Sequence, residues 1–393
     1  MMGKTTRILI GSGIVALVVL GIWLMTKPPR DVQTGTTVIG LTNGSSTPDA
    51  GFARAVSPRI FTFPLDHGPH LDFQTEWWYY TGNVHDATGQ LFGYQLTFFR
   101  RALLPPQDVP PRRSDLASNQ IYFAHFAITD IKAGQHEVSE QFSRGAAGLA
   151  GAFADPFRVF VYDWSASATI SSANSVHLSA RQGANAISLN LLALKPVVLE
   201  GQNGLSAKSE IPGNASYYYS FTRMATHGTL TTRNGTYDVD GLSWMDHEWS
   251  TSALGPHAQG WDWFALQLSD QRDVMLFQIR NNDGSIDPAS GGTLVLADGS
   301  TRTFSLSAMH IQVLQRWRSP QSGAEYPVRW HVTIPQWAIN LVVTAQIDNQ
   351  ENRTSVVYWE GAVNIQGLDG NQPVTGAGYV ELTGYSQSLN GGF

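Results

Sequence analysis

From Phe61 onward, apolar and polar positions alternate in short runs bounded by turn residues, the period-two pattern of half-buried strands. "EWWYYTGNVHDATGQLFGYQLTFFR" holds two aromatic runs around a turn at Asp86, Thr88 and Gly89, which predicts a hairpin. Runs such as "IYFAHFAITDI", "FRVFVYDWSA", "AISLNLLAL", "INLVVTAQID", "SVVYWEGAVNI" and "GAGYVELTGY" continue the pattern. They recur about every 8–12 residues, the spacing of β-sandwiches and barrels. Long amphipathic helices are scarce, and the Pro-rich stretch Leu103 to Asn119 cannot be a central strand. A weak internal echo joins this hairpin to "GWDWFALQLSDQRDVMLFQIR": each starts on paired tryptophans, turns at polar residues and ends on an apolar strand closed by Arg100 or Arg280. The echo predicts two related β units joined near Gly241 to Gly260.

The N-terminus breaks this pattern. Ile8 to Met25 is an uncharged apolar run of about the length a membrane span needs. It exceeds the usual core of a signal peptide and lacks a clear cleavage site after Trp23. The expectation for residues 1–26 is therefore an uncleaved anchor, with a signal peptide as the alternative. Residues 27–58, rich in Thr, Gly, Ser, Asn and Pro, read as a flexible tether.

Composition narrows the function classes. Charged residues make up 14% of the chain, below the soluble average of about 25%. The net charge of −6 comes without a Lys/Arg block, which argues against nucleic-acid binding. With no cysteine, the chain has no disulfide framework, thiolate metal site or thiol nucleophile. No phosphate loop and no dinucleotide fingerprint between a strand and a helix is present, so no cofactor is expected. Ser243 lacks the second glycine of a nucleophile elbow. Asp246, His247 and His257 offer metal-ligand chemistry without an H-E-x-x-H pattern, and no metal is expected.

Candidate chemistry gathers in two aromatic stretches. Period two puts Glu76, Trp78 and Tyr80 on one face of a strand and Trp77 and Tyr79 on the other. Likewise Trp244, Asp246 and Glu248 share a face, opposite Met245, His247 and Trp249, so Asp246 and His247 can both point inward only if a bulge intervenes. Trp261 and Trp263 oppose Asp262 and Phe264. Glu76 fits a buried structural acid held by Arg100 or Arg280. Asp246, a poor strand former among tryptophans, fits a carboxyl kept protonated by apolar surroundings. His125, polar within an apolar strand, is either a satisfied core histidine or a proton shuttle.

Four ordered motifs, "FPLDHGPHLDFQTEWWYYTGNV", "FAHFAITD", "DGLSWMDHEWS" and "GWDWFALQL", carry a resemblance to the AttH-like and carotenoid hydratase (hydroxyneurosporene synthase) family over about Arg59 to Leu382. The resemblance implies an all-β fold of two tandem lipocalin-like antiparallel barrels, here expected at 59–245 and 246–393 behind a transmembrane helix. It also implies cofactor-independent addition of water to a C=C bond of a hydrophobic isoprenoid or lipid-like molecule. The family's proton-donor Asp falls on Asp246, and His247 beside it completes the expected catalytic pair. Trp244 and Trp249 of the same motif, with Trp77, Trp78, Tyr79, Trp261, Trp263 and His125, are the expected substrate-binding residues. A second functional class stands beside this one: a non-catalytic periplasmic lipid carrier, or an accessory protein of an envelope transport system. In either case the expected location is the inner membrane with the body in the periplasm, or the periplasm itself if the N-terminal segment is cleaved.

Overall fold

The computed structural model describes residues 51–111, 114–170, 172–252, 254–370 and 372–387. The expected anchor Ile8 to Met25 lies outside them. Among the described residues no helix is long and apolar enough to cross a membrane. The end of the expected tether lies inside them and is held down. Ala53 is bonded through its N–H to Asp72 and through its carbonyl to Thr251, and Ala55 is buried in the core of the first sheet. The packed body therefore begins upstream of residue 59, because these residues give the first sheet extra backbone partners and an apolar contact.

The described chain is all-β, with four short 3-10 turns. Thirteen strands form one antiparallel sheet and ten form a second. The predicted hairpin is Thr75–His85 with Leu91–Ala102, continued by Gln120–Asp130 and Gln135–Arg144 as a meander. The second sheet repeats the plan with Ala258–Leu268, Asp273–Asn281, Gly291–Val295 and Thr301–Ser305. In each sheet the opening strand also pairs with the closing one: Thr75–His85 with Gly235–Ser250, and Ala258–Leu268 with Gln372–Leu382. The sequence echo is thus a repeat of topology. The first sheet curls until Gln135–Arg144, at one edge, approaches Phe157–Val161 near the other.

The change of sheet falls between Ser250 and Ala258 and not at 245/246. Gly235–Ser250 is a continuous strand, paired without a break to Thr75–His85, so a boundary at 245 would cut a ladder of backbone hydrogen bonds.

Alternation then builds two separate cores and one surface between them. Trp78, Tyr80, Phe98 and Trp249 point into the first sheet, while Phe264, Leu266, Trp330 and Trp359 point into the second. Side chains one position along face outward from each, and there Tyr79, Tyr218, Trp244, Trp263, Met275 and Tyr379 pack sheet against sheet. Polar contacts tie the seam. Gln267 donates to the carbonyls of Thr222 and Ser243 at 2.7 and 3.0 Å, and Asp273 accepts from Arg223 and Lys195 at 2.6 and 2.7 Å. A β-bulge between Phe221 and Met224 aims Thr222 and Arg223 at that aspartate. Gly93 permits the close approach, since a Cβ there would lie 2.8 Å from the Cβ of Ala362.

Candidate functional site

At one end of the seam the sheets part around a cleft of about 1000 Å³, counted out to the solvent at its mouth. The first sheet contributes Trp77 and Tyr79 from one strand and Asp246 and Glu248 from its neighbour. The second sheet contributes Trp261 and Trp263, with Tyr358, Glu360 and Glu381 beside them. Leu254, in the connection between the sheets, lines the same space. The cleft lies between the sheets, outside both curled cores.

Asp246 sits in its wall at 4% exposure. Ser220 Oγ and Trp244 Nε1 donate to its Oδ1 at 2.5 and 2.8 Å. Both come from the same face: Ser220 is its cross-strand partner and Trp244 lies two residues before it. Burial pushes the Asp246 carboxyl up to about 7, against the pull of these hydrogen bonds, which favour the ion. The carboxyl is therefore partly protonated at neutral pH. Tyr218, which lines the cleft beside it, adds a further hydrogen bond that favours the ion.

Three more carboxyls share the wall. Glu248 is bonded by Ser216 and salt-bridged to Lys208 at 2.8 Å. Among the described residues Lys208 is the single Lys or Arg lining the cleft, and its ammonium also rests over the rings of Tyr218 and Phe277. Glu360 and Glu381 stand directly opposite each other on paired strands. Burial raises both, Glu381 raises Glu360 further by like-charge repulsion, and the pair stays largely neutral. Behind them Glu200, buried and bonded to Thr293 Oγ1 at 2.5 Å, is pushed by burial up to about 8.

His247 is elsewhere. No bulge interrupts the pairing of Gly235–Ser250 with Thr75–His85, so His247 faces into the first sheet, away from Asp246. Its Nε2 bonds Glu76 Oε1 at 2.9 Å and its Nδ1 bonds the Tyr219 hydroxyl at 3.1 Å. Trp78 and Trp249 point the same way and stack around it. The expected catalytic pair is thereby split, and Trp78, His247 and Trp249 leave the cleft because strand alternation sends them to the core. Trp77, Tyr79, Trp261 and Trp263 line it, and Trp244 supports Asp246 from beside it. His125 also lines it, with Nδ1 on the Tyr358 hydroxyl at 2.7 Å and Nε2 on Glu140 at 3.0 Å.

Glu76 takes the structural role, with Arg100 as its ion-pair partner at 2.8 Å; Arg280 pairs instead with Asp262 at 2.9 Å. Among the described residues His70, Glu76 and His247 bring ligand atoms within 4.8 Å of one another. They do not fit a metal site. Glu76 already accepts from Arg100, His70 bridges Glu76 and Asp66 through both ring nitrogens, and each ligand atom has a hydrogen-bond partner. Asp246 and His247, on opposite faces, cannot chelate one ion.

Lys208, Tyr218, Tyr358, Glu360 and Glu381 were not anticipated. A signal existed for two of them: "YWEGAV" and "GYVELTGY" each hold one acid inside an apolar run, the feature that singled out Asp246. Lys208 and Tyr218 carry no such mark.

A family model described as AttH-like matches residues 54–385, and the chain belongs to that family. A solved Nitrosomonas europaea protein assigned as an AttH is 32% identical, covers 85% of this chain and all of its own, and superposes with a TM-score of 0.76. Kievitone hydratase from Nectria haematococca shares the fold at 14% identity, with 86% of this chain and 98% of that one covered and a TM-score of 0.66. Dehydratase asqC of Emericella nidulans is 22% identical over 200 residues, 49% of this chain. That match spans about half the length of the curated relative.

Proposed function

We propose that the cleft between the sheets adds water to, or removes it from, a carbon–carbon double bond of a hydrophobic small molecule, with Asp246 as general acid and without a cofactor. Each curled sheet is read as a lipocalin-like barrel, with the ligand between the barrels. The observation that carries this reading is the Asp246 carboxyl, buried among aromatic rings and held partly protonated at neutral pH. An acid of that pKa is matched to proton transfer near neutrality. A hydratase and a dehydratase among the similar proteins agree with it, the two names describing one reaction in opposite directions.

The steps close without another reagent. The Asp246 proton passes to one alkene carbon as the π pair forms the new C–H bond. The positive charge left on the neighbouring carbon faces the rings of Trp77, Tyr79 and Trp263, which stabilise it. Water adds its lone pair to that carbon, and the proton it releases returns to the Asp246 carboxylate. The net change is H and OH across the bond, and the reverse order expels water.

The test is incubation of the chain with a panel of trisubstituted isoprenoid alkenes in heavy-oxygen water, read by mass spectrometry. Wild type is expected to yield a product carrying the labelled oxygen. Asp246→Asn should lower its rate by about 10²-fold or more while the fold and apolar ligand binding persist. Undiminished turnover in a folded Asp246→Asn protein would remove Asp246 as the acid.

A further inference from the structure

Glu360 is the most anomalous group in the cleft. It is 1% exposed, yet neither carboxyl oxygen makes a hydrogen bond of ordinary length, although Tyr79, Tyr358 and Gln95 lie close enough to act on its charge. The Tyr79 hydroxyl, on the facing sheet, is likewise buried without a bond of ordinary length, and Glu360 is its polar neighbour. Buried polar atoms without partners are rare, because each carries the full cost of leaving water. The other polar neighbours spend their bonds of ordinary length elsewhere. The Tyr358 hydroxyl is engaged by His125 Nδ1 and Gln95 Nε2, and the Gln95 carbonyl by Asn352 Nδ2. Both groups line the cleft, one from each sheet, facing each other without closing a bond of ordinary length. Tyr79 is also the direct cross-strand neighbour of Asp246.

We infer that Glu360 and Tyr79 form a polar anchor for a neutral hydroxyl group of the substrate, which selects an oxygenated hydrophobic molecule over a pure hydrocarbon. This deepens the reading of the cleft as a substrate site and rests on it. A hydroxyl can accept from one of these groups and donate to the other, and so complete at ordinary length a pair that the two side chains do not close between themselves. An anionic group fits poorly. Four carboxyls line the space, and Lys208 is committed to Glu248. An alkyl end would leave the anchor atoms desolvated and unpaired, which is the basis of strong discrimination against a substrate lacking the hydroxyl. Because Tyr79 lies beside Asp246, the anchor fixes the hydroxyl on the far side of that ring from the proton donor.

The test uses three probes with the full chain: trans-stilbene, trans-4-hydroxystilbene and trans-stilbene-4-carboxylate. Binding is read by quenching of the cleft tryptophans. Wild type is expected to bind the hydroxyl probe about ten-fold tighter than stilbene and the carboxylate more weakly than either. Glu360→Leu should bring the hydroxyl and hydrocarbon probes within about two-fold of each other, with stilbene itself bound as well as before. Tyr79→Phe keeps the ring and should erode part of the preference, which keeps the inference testable if Glu360→Leu fails to fold. Equal affinities in wild type, or an unchanged preference in a folded Glu360→Leu or Tyr79→Phe protein, would overturn it. Asp246→Asn should retain the preference. Loss of the catalytic role and loss of the anchor are therefore read separately, one in turnover and one in probe selectivity.

Discussion

Glu76 and Glu360 are each 1% exposed, each on a central strand and each ringed by aromatics, yet their surroundings are opposite. Glu76 accepts from Arg100 Nε, His247 Nε2, and both the backbone and the ring of His70, at 2.7–3.2 Å. Burial alone would raise it, but Arg100 and His70 hold it well below the usual carboxylate range. His70, which burial alone would lower, is raised by Glu76 and by Asp66 and fits an imidazolium between two carboxylates. Glu360 has no cation beside it and makes no hydrogen bond of ordinary length; burial and the facing Glu381 raise it, so it keeps its proton. Burial therefore does not separate Glu76 from Glu360; the guanidinium beside Glu76 does. The completed network holds the first sheet together, and the incomplete one marks the cleft.

The largest expected effect comes from breaking the completed network. Arg100→Met leaves Glu76 buried without its guanidinium and should cost about 3–5 kcal/mol of stability, measured by urea unfolding. A loss below about 1 kcal/mol would mean that Glu76 is not the fixed anion described here. The same measurement on Asp246→Asn, across the same ladder on the opposite face, should show a far smaller change.

pH separates the two clusters by sign. Asp246 and Glu200 have folded values of about 7 and about 8, above their ordinary values of 3.8 and 4.5. The unfolded chain gives up these protons first, so their contribution is complete below about pH 4 and is lost as pH rises through 7 to 8. Glu76, lowered on folding, contributes stability above its ordinary value of 4.5 that is lost as pH falls toward its folded value. Stability should therefore peak at mildly acidic pH and decline by on the order of a few kcal/mol from there to about pH 8, a decline that becomes shallower in Asp246→Asn. Turnover should fall over the same range, as Asp246 loses the proton it donates near pH 7. Stability still rising between pH 5 and pH 8 would contradict the neutral state assigned to the cleft acids.

The smallest effect sharpens the contrast. Glu360→Leu removes a buried carboxyl that makes no hydrogen bond of ordinary length, so unfolding should show a change within about 1 kcal/mol, neutral or stabilising. A large destabilisation would show that Glu360 supports the fold, as Glu76 does.

Period two was enough to recover much of this arrangement from the chain itself. It gave the strands and the rule that Asp246 and His247 part company in a regular strand, and it left Glu76 to either Arg100 or Arg280, a choice the packing made for Arg100. Paired tryptophans and closing arginines foretold a topology used twice, and Asp246 was legible as a polar residue in an apolar run. Alternation states which side chains share a face because backbone geometry is local. It does not state what covers that face. Whether the side holding Trp78 and His247 or the side holding Trp77, Tyr79 and Asp246 would become core or cleft depended on how a sheet built from residues beyond Ser250 packs against the first. Glu360 and Glu381 lie more than a hundred residues from Asp246 in the chain, and only that packing sets four carboxyls around one space and leaves Glu360 without a cation beside it.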